Sequence, residues 1–312
     1  MKVGLVGIGG VGRACLLALV TSSSAQEIVV VNRDRARAEG TVTDIQYGAA
    51  LIRPVKLLAG EYPDLQGADL VIVTAGINER TGGATDRNDP KGRLRLLSAN
   101  AEIYRDLIPK ILKAAADAIL LIVTDPPDAL ADLARETAGH ERVLSAGTFL
   151  DTQRFRFHLA EQFGVHPSAV EAQVVGEHGI SQVFLWSSAR IGGAPIRKLF
   201  EGKSNPDFSD FKQRIEREVR YANITIIEGS GASQLGIGLV TARLANVILR
   251  DERLVLPVGS YHPNYGTTLS LPTMLGRRGI IRTFDPDMDD GEAKALQRSA
   301  EVLRQAVQQS RV

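Results

Sequence analysis

The sequence predicts an α/β fold: a doubly wound parallel sheet in the first half, then a mixed α+β half. Three observations carry this. Short runs that are apolar throughout, at residues 3–6, 28–31, 68–74 and 118–123, alternate with helix-like stretches at 13–20, 33–47 and 94–116. Strands of that kind belong to a parallel sheet covered on both faces. The first strand runs straight into G-I-G-G-V-G, a glycine-rich turn before an apolar helix. Beyond residue 150 the alternation stops, which places a domain boundary between residues 147 and 148, with units of 1–147 and 148–312.

The second half reads in order as a helix at 150–163, strands near 170–176 and 182–187, and helical periodicity over 208–228 and 234–250. Strands at 254–258 and 267–271 follow, and a charged, Ala-rich helix at 290–309 closes the chain. The most irregular stretch, 77–92, is polar, Gly-rich and broken by Pro90, and reads as an exposed mobile loop.

Composition removes several classes of function. The 312 residues are 44% apolar and carry 37 basic against 36 acidic side chains, a formal net charge of +1. That balance gives no support to nucleic-acid binding or to disorder. Cys15 is the single cysteine, so neither an internal disulfide framework nor a multi-cysteine metal site is expected. The five histidines show no ligand spacing, and no metal is expected. No apolar run approaches the roughly 20 residues that cross a bilayer. An early strand in place of a leader points to a cytoplasmic enzyme without a membrane partner.

Gly7, Gly9 and Gly12 sit between strand and helix as a dinucleotide-binding turn requires: one for the turn, one for close approach of pyrophosphate, one for helix packing. The next strand ends in Asn32 followed by Arg33, where an acidic residue would read the ribose of NAD. A neutral residue beside a guanidinium favours NADP over NAD, because it removes repulsion and offers a partner to a 2′-phosphate. In the other reading Arg33 only opens a solvated helix and Asp34 meets the ribose.

Proton-transfer chemistry is offered by His178, between small residues in G-E-H-G at a strand end. A structural role for it is equally open from the residues alone. Asp151 and Arg154 are three apart and share a helix face. Either they pair only with each other, or Asp151 orients His178 while Arg154 grips a carboxylate. Arg93, at the end of the irregular loop, could polarise a carbonyl as a lid closes.

These motifs together resemble the lactate/malate dehydrogenase family: G-I-G-G-V-G, A-G-I-N, G-R-L-R-L-L-S-A-N, V-T-D-P-P-D, G-T-F-L-D-T-Q-R-F-R and G-E-H-G-I-S-Q occur in its order along nearly the whole chain. The resemblance implies an N-terminal Rossmann domain, a C-terminal catalytic domain and a homodimer or homotetramer. It implies hydride transfer between a nicotinamide cofactor and a 2-hydroxy/2-oxo acid. His178 resembles the family's proton donor, Asp151 its partner, Arg154 the carboxylate clamp and Arg93 the lid arginine, with Arg87 as the competing choice. Ser233 falls where the family lines the substrate pocket. Ala75, Gly76, Asn100 and Val123 fall in motifs that meet the cofactor.

Two departures stand out. Asp125 replaces the asparagine that donates a hydrogen bond to the reacting oxygen, and an ionised carboxylate cannot donate. Either burial keeps it protonated or the substrate carries a compensating cation. The loop is also longer than usual, similar to the 2-hydroxyisocaproate dehydrogenase branch, and Arg80 or Arg87 could supply a second arginine from it. The competing expectation is a non-catalytic or attenuated nucleotide-binding paralogue.

Overall fold

The computed structural model describes residues 1–22, 24–52, 54–89, 91–200 and 207–311. The first half is built as β1 (Lys2–Val6), α1 (Gly10–Ser22), β2 (Glu27–Val31), α2 (Arg35–Ala49), β3 (Lys56–Gly60), β4 (Leu70–Val73), α3 (Leu97–Ala114), β5 (Ile119–Ile122), α4 (Pro127–Ala138) and β6 (Val143–Ser145). The second half continues with α5 (Phe149–Phe163) and five two-residue strands, β7 (Val170–Glu171), β8 (Val174–Val175), β9 (Val183–Phe184), β10 (Arg190–Ile191) and β11 (Ala194–Pro195). Then come α6 (Phe208–Arg220), α7 (Ala222–Ser230), α8 (Leu235–Leu249), β12 (Leu254–His262), β13 (Thr267–Gly276), β14 (Gly279–Thr283) and α9 (Asp290–Ser310).

One nine-stranded sheet runs through both halves in the order β14-β13-β12-β6-β5-β4-β1-β2-β3. Strands β1 to β6 are mutually parallel, and β12 to β14 extend the sheet antiparallel, joined to β6 by the pair Gly259–Ser145. The N-terminal strands are apolar on both faces because helices cover both. Leu16 and Leu19 of α1 and Val247 of α8 pack on one side. Tyr104 of α3, Leu130 of α4 and Leu303 of α9 pack on the other. Each such side chain contributes roughly 1.5–3 kcal/mol by leaving water. α1 and α8 meet closely because Gly238 has no side chain: a Cβ there would lie 2.7 Å from the Ala14 backbone. A separate aromatic core of Phe155, Trp186 and Phe211 holds the second half together.

The register of the sheet decides where function gathers. Val6 pairs with both Val31 and Val73, and Val73 pairs with Ile122. The residues that follow these strands, beginning at Gly7, Asn32, Thr74 and Val123, therefore emerge side by side. The sheet order reverses between β1 and β4, the place where α/β sheets open a crevice at their carboxyl ends.

Several details differ from the sequence reading. β3, β6 and β14 were not expected, because they are short or interrupted by charged residues, and α4 hides in an Asp- and Pro-led segment. The periodicity over 208–228 is two helices, α6 and α7, broken at Tyr221. The loop at 77–92 is not simply exposed: Ala84 and Asp89 are buried, and Asp89 accepts from Arg95 Nε at 2.6 Å. Its Pro90 lies outside the described residues.

Candidate active site

Gly7 follows β1 in the left-handed region at φ +100°, where its own N–H donates to Val31 O. A Cβ on Gly7 would strike the Ala75 backbone at 2.5 Å, and one on Gly12 would strike Gly7 O at 2.2 Å. A Cβ on Gly9 would meet nothing. Two glycines thus close the turn on itself, and the third opens it to a ligand, the cradle expected for a pyrophosphate near the start of α1.

Asn32 bridges this turn to α2. Its Oδ1 accepts the Ile8 N–H at 3.1 Å and its Nδ2 donates to Asp34 O at 2.8 Å. Asp34 caps α2 by accepting from Arg37 N at 3.1 Å. A groove beyond the turn is lined by Gly7, Gly9, Asn32, Arg33, Ala75 and Gly76 among others. Arg33 is exposed there and has no ion pair among the described residues, whereas Arg35 and Arg37 are engaged with Glu39 and Asp34.

A second, more enclosed cavity of about 150 Å³ adjoins it, lined among others by Gly9, Val123, Asp125, Arg154, His178 and Ser233. The bridge of Gly176 to Ser270 in β13 fixes the strand end from which His178 projects. Its main-chain N–H donates to Asp128 Oδ2 at 2.7 Å. The Nδ1 of His178 is hydrogen-bonded to Asp151 Oδ2. A carboxylate only accepts, so the proton is on Nδ1 and Nε2 is turned to the cavity, 3.8 Å from Asp125 Oδ1.

Asp151 is wholly buried in the first turn of α5, and its other oxygen accepts from Arg154 Nη1 at 3.0 Å. Burial works against the Asp151 charge, but His178, Arg154 and Arg93 outweigh it and hold the carboxyl well below the usual range. For Arg154, burial lowers the pKa against the pull of Asp151. Burial also opposes the Arg93 charge, yet Asp125, Asp151 and Glu79 more than offset it and raise the pKa. Arg93 Nε is 3.4 Å from Asp125 Oδ2 but makes no hydrogen bond, so a buried donor is left over. Asp125 is therefore an ion-pair partner of Arg93 at the cavity wall.

The structure gathers most of the expected residues and places Arg87, Asn100 and Arg80 off the cavity walls. Arg87 does not line the cavity: its guanidinium grips Glu228 at 2.7 Å and Thr225 at 3.1 Å, fastening the loop to α7. That exposed pairing turns Arg87 away from the cavity, which Arg93 lines instead. Asn100 lines neither cavity but braces both, accepting from Ile77 N and donating to Asp125 O, each at 2.7 Å. Arg80 also stays off the cavity wall. Cys15 is core, with burial pushing its thiol up to about 12.

Sequence reasoning missed Glu79 and Asp128. Glu79 lines the cavity, and burial followed by the charge of Asp125 raises its pKa. Its place two residues after A-G-I could have flagged it, but a polar loop reads as solvated. Asp128 fixes the His178 main chain while its Oδ1 accepts from Ser145 Oγ at 2.5 Å.

Comparison with known proteins agrees with this architecture along its length. Residues 1–144 match the lactate/malate dehydrogenase NAD binding domain, and residues 148–311 match the lactate/malate dehydrogenase alpha/beta C-terminal domain. An L-lactate dehydrogenase of Thermus aquaticus is 43% identical over 312 residues, covering 98% of each chain. One of Deinococcus radiodurans is 40% identical over 309 residues, covering 99% of each. Among solved structures, a lactate dehydrogenase from a Medee basin deep-sea metagenome library superposes with a TM-score of 0.90 at 30% identity, covering 100% of this chain and 99% of its own. The minor L-lactate dehydrogenase of Enterococcus mundtii, in its ligand-bound form, gives 0.90 at 31% identity, covering 99% and 98%. No helix among the described residues is long and apolar enough to cross a membrane.

Proposed function

The chain belongs to the lactate/malate dehydrogenase family and is an oxidoreductase acting on the CH–OH group of 2-hydroxy acids; from that premise we propose how its residues divide the work. Residues 1–147 hold the dinucleotide, and residues 148–312 supply most of the groups that meet the acid. The cradle of Gly7, Gly9 and Gly12 would hold a nicotinamide dinucleotide, which would supply the hydride chemistry at the substrate's C2. Open space at Gly9 supports that fit.

Arg154 holds the substrate carboxylate, its orientation set by Asp151. His178, charged for reduction and neutral for oxidation, gives or takes the hydroxyl proton at Nε2, while Asp151 stabilises its charged form. Arg93 polarises the reacting oxygen with its unsatisfied Nε–H. Before substrate enters, Asp125 occupies both Arg93 and the side of His178, so an incoming acid competes with an anion already in place. The observation that carries the reading is that single network from Arg154 through Asp151 to His178, closed by Asp125 and Arg93 around one cavity.

For the cofactor, we propose that NAD is accepted and that exposed Arg33 additionally admits the 2′-phosphate of NADP. For the substrate, L-lactate is the starting point, because the relatives carry that name. Leu17 on α1 and Leu235 and Leu239 on α8 are 52%, 72% and 66% exposed, and this apolar face supports a homodimer or homotetramer. A single buried cysteine needs no oxidising compartment and supports a cytoplasmic protein.

The test is His178→Asn. Turnover of L-lactate and other 2-hydroxy acids falls by about 10²–10⁴-fold, while NADH binding, followed by nicotinamide fluorescence, persists. Undiminished turnover refutes the assignment. In parallel, Arg33→Ala weakens NADPH more than NADH; equal losses refute the phosphate contact.

A further inference from the structure

The cavity holds more negative charge than the reaction needs. Three carboxylates, Asp125, Asp151 and Glu79, lie on or just behind its walls against two guanidiniums, Arg93 and Arg154, and the imidazole of His178, and a 2-hydroxy acid brings a fourth carboxylate. Two of the three are answered by the protein: Asp151 by His178 and Arg154, Asp125 by Arg93. Glu79 has no ion pair among the described residues. Burial and then the charge of Asp125 raise its pKa, so its ionised form is costly without a cation beside it. Arg93 is ion-paired with Asp125, and its buried Nε has no hydrogen-bond partner, which keeps it for an oxygen of the substrate.

With the acid's carboxylate assigned to Arg154 and its hydroxyl to His178, the part left to meet Glu79 is the side chain. A side chain bearing a negative charge is repelled there, and a hydrocarbon one leaves the charge unanswered. A protonated amine neutralises Glu79 and relieves the excess created by Asp125 as well. We propose, resting on the dehydrogenase reading above, that Glu79 together with Asp125 is a specificity determinant selecting 2-hydroxy acids whose side chain ends in a protonated amine.

Hydroxy acids test this cleanly, because the corresponding amino-oxo acids can close into cyclic imines. Oxidation rates with NAD are compared at pH 8 for matched pairs that differ by ammonium in place of methyl: 4-amino-2-hydroxybutanoate with 2-hydroxypentanoate, and 5-amino-2-hydroxypentanoate with 2-hydroxyhexanoate. The expected kcat/KM favours the ammonium member of at least one pair by about tenfold or more, within what one charge pair is worth at an effective dielectric near 20. Glu79→Gln removes or inverts that ratio, and Glu79→Asp, which keeps the charge, preserves its direction. A preference for the neutral member in the unaltered protein overturns the inference and leaves the dehydrogenase reading standing. An unchanged ratio in a folded Glu79→Gln protein overturns the role of Glu79. Absence of oxidation of every 2-hydroxy acid, L-lactate included, by a protein that binds NADH overturns the underlying reading instead.

Discussion

Asp128 is completely buried near the start of α4, holding the His178 main chain with one oxygen and Ser145 with the other. Burial pushes its carboxyl up to about 6 from an ordinary 3.8, against the pull of both hydrogen bonds. The folded protein therefore keeps this proton over a range in which the unfolded chain has lost it. At 1.36 kcal/mol per unit, that shift is worth about 3 kcal/mol of stability, fully present below pH 3.8 and lost as pH rises through 6. The dipole at the start of α4 favours the ionised form and trims the slope without reversing it. Asp128→Asn preserves the size of the side chain and abolishes the titration. Urea unfolding of both proteins from pH 4 to 8 isolates the contribution, since all other groups cancel in the difference. The unaltered protein should lose up to about 3 kcal/mol relative to the variant as pH rises across this window, with about half the change above pH 5. A difference that is flat with pH, or that grows in the opposite direction, refutes the account of Asp128 as a buried acid held against its charge.

Other substitutions probe separate parts of the site. Asp151→Asn leaves His178 without its anionic partner and Arg154 without its orienting pair, and kcat should drop by about 10²–10⁴-fold with NADH affinity retained; near-normal kcat would contradict the network. Gly12→Ala, whose Cβ would lie 2.2 Å from Gly7 O, should lower the melting temperature markedly. Gly9→Ala, with nothing nearby, should melt normally but bind NADH more weakly, and unchanged binding would deny Gly9 its place under the cofactor. Arg87→Ala releases the loop from Glu228 and Thr225 while leaving the core untouched, so trypsin should cut at Arg80 faster at an unchanged melting temperature. Equal cutting rates would show that the clip does not hold the loop.

The parts of this molecule legible in its sequence are those where one local requirement dictates residue type. Gly7 and Gly12 could be placed because a tight turn against a strand admits nothing larger. Asp151 and Arg154 could be paired because a helix puts positions three apart on one face. The fold class followed from strands apolar throughout. What was not legible depends on contacts distant in sequence. Asp128 is buried by β6, β12 and the His178 segment, none of which its neighbours announce. Glu79 looks like any carboxylate in a polar loop until the cavity closes around it. Arg87 and Arg93, six residues apart, were ranked by motif alone; only the reach of Glu228 from α7 separates the surface clip from the buried cation. The break at Tyr221 escaped notice because no Gly or Pro marks it anywhere in residues 208–228.

The seam between Ser145 and Gly259 bears on how such a protein can be recombined. One β-sheet carries both the dinucleotide turn, after β1, and β12 to β14 at its edge, and α1 is wedged on α8 through Gly238. The two halves are thus joined through one continuous sheet and one tight helix pair, so a swing of one half on the other would have to break both. A chimera that joins residues 1–147 to the remainder of a relative would inherit two mismatched joints at once, Ser145 against a foreign β12 and Ala14 against a foreign α8. Exchanging the loop alone, which ends in Arg93 and begins beside Glu79, leaves both joints intact, so new substrate ranges are most cheaply reached by trading that one segment.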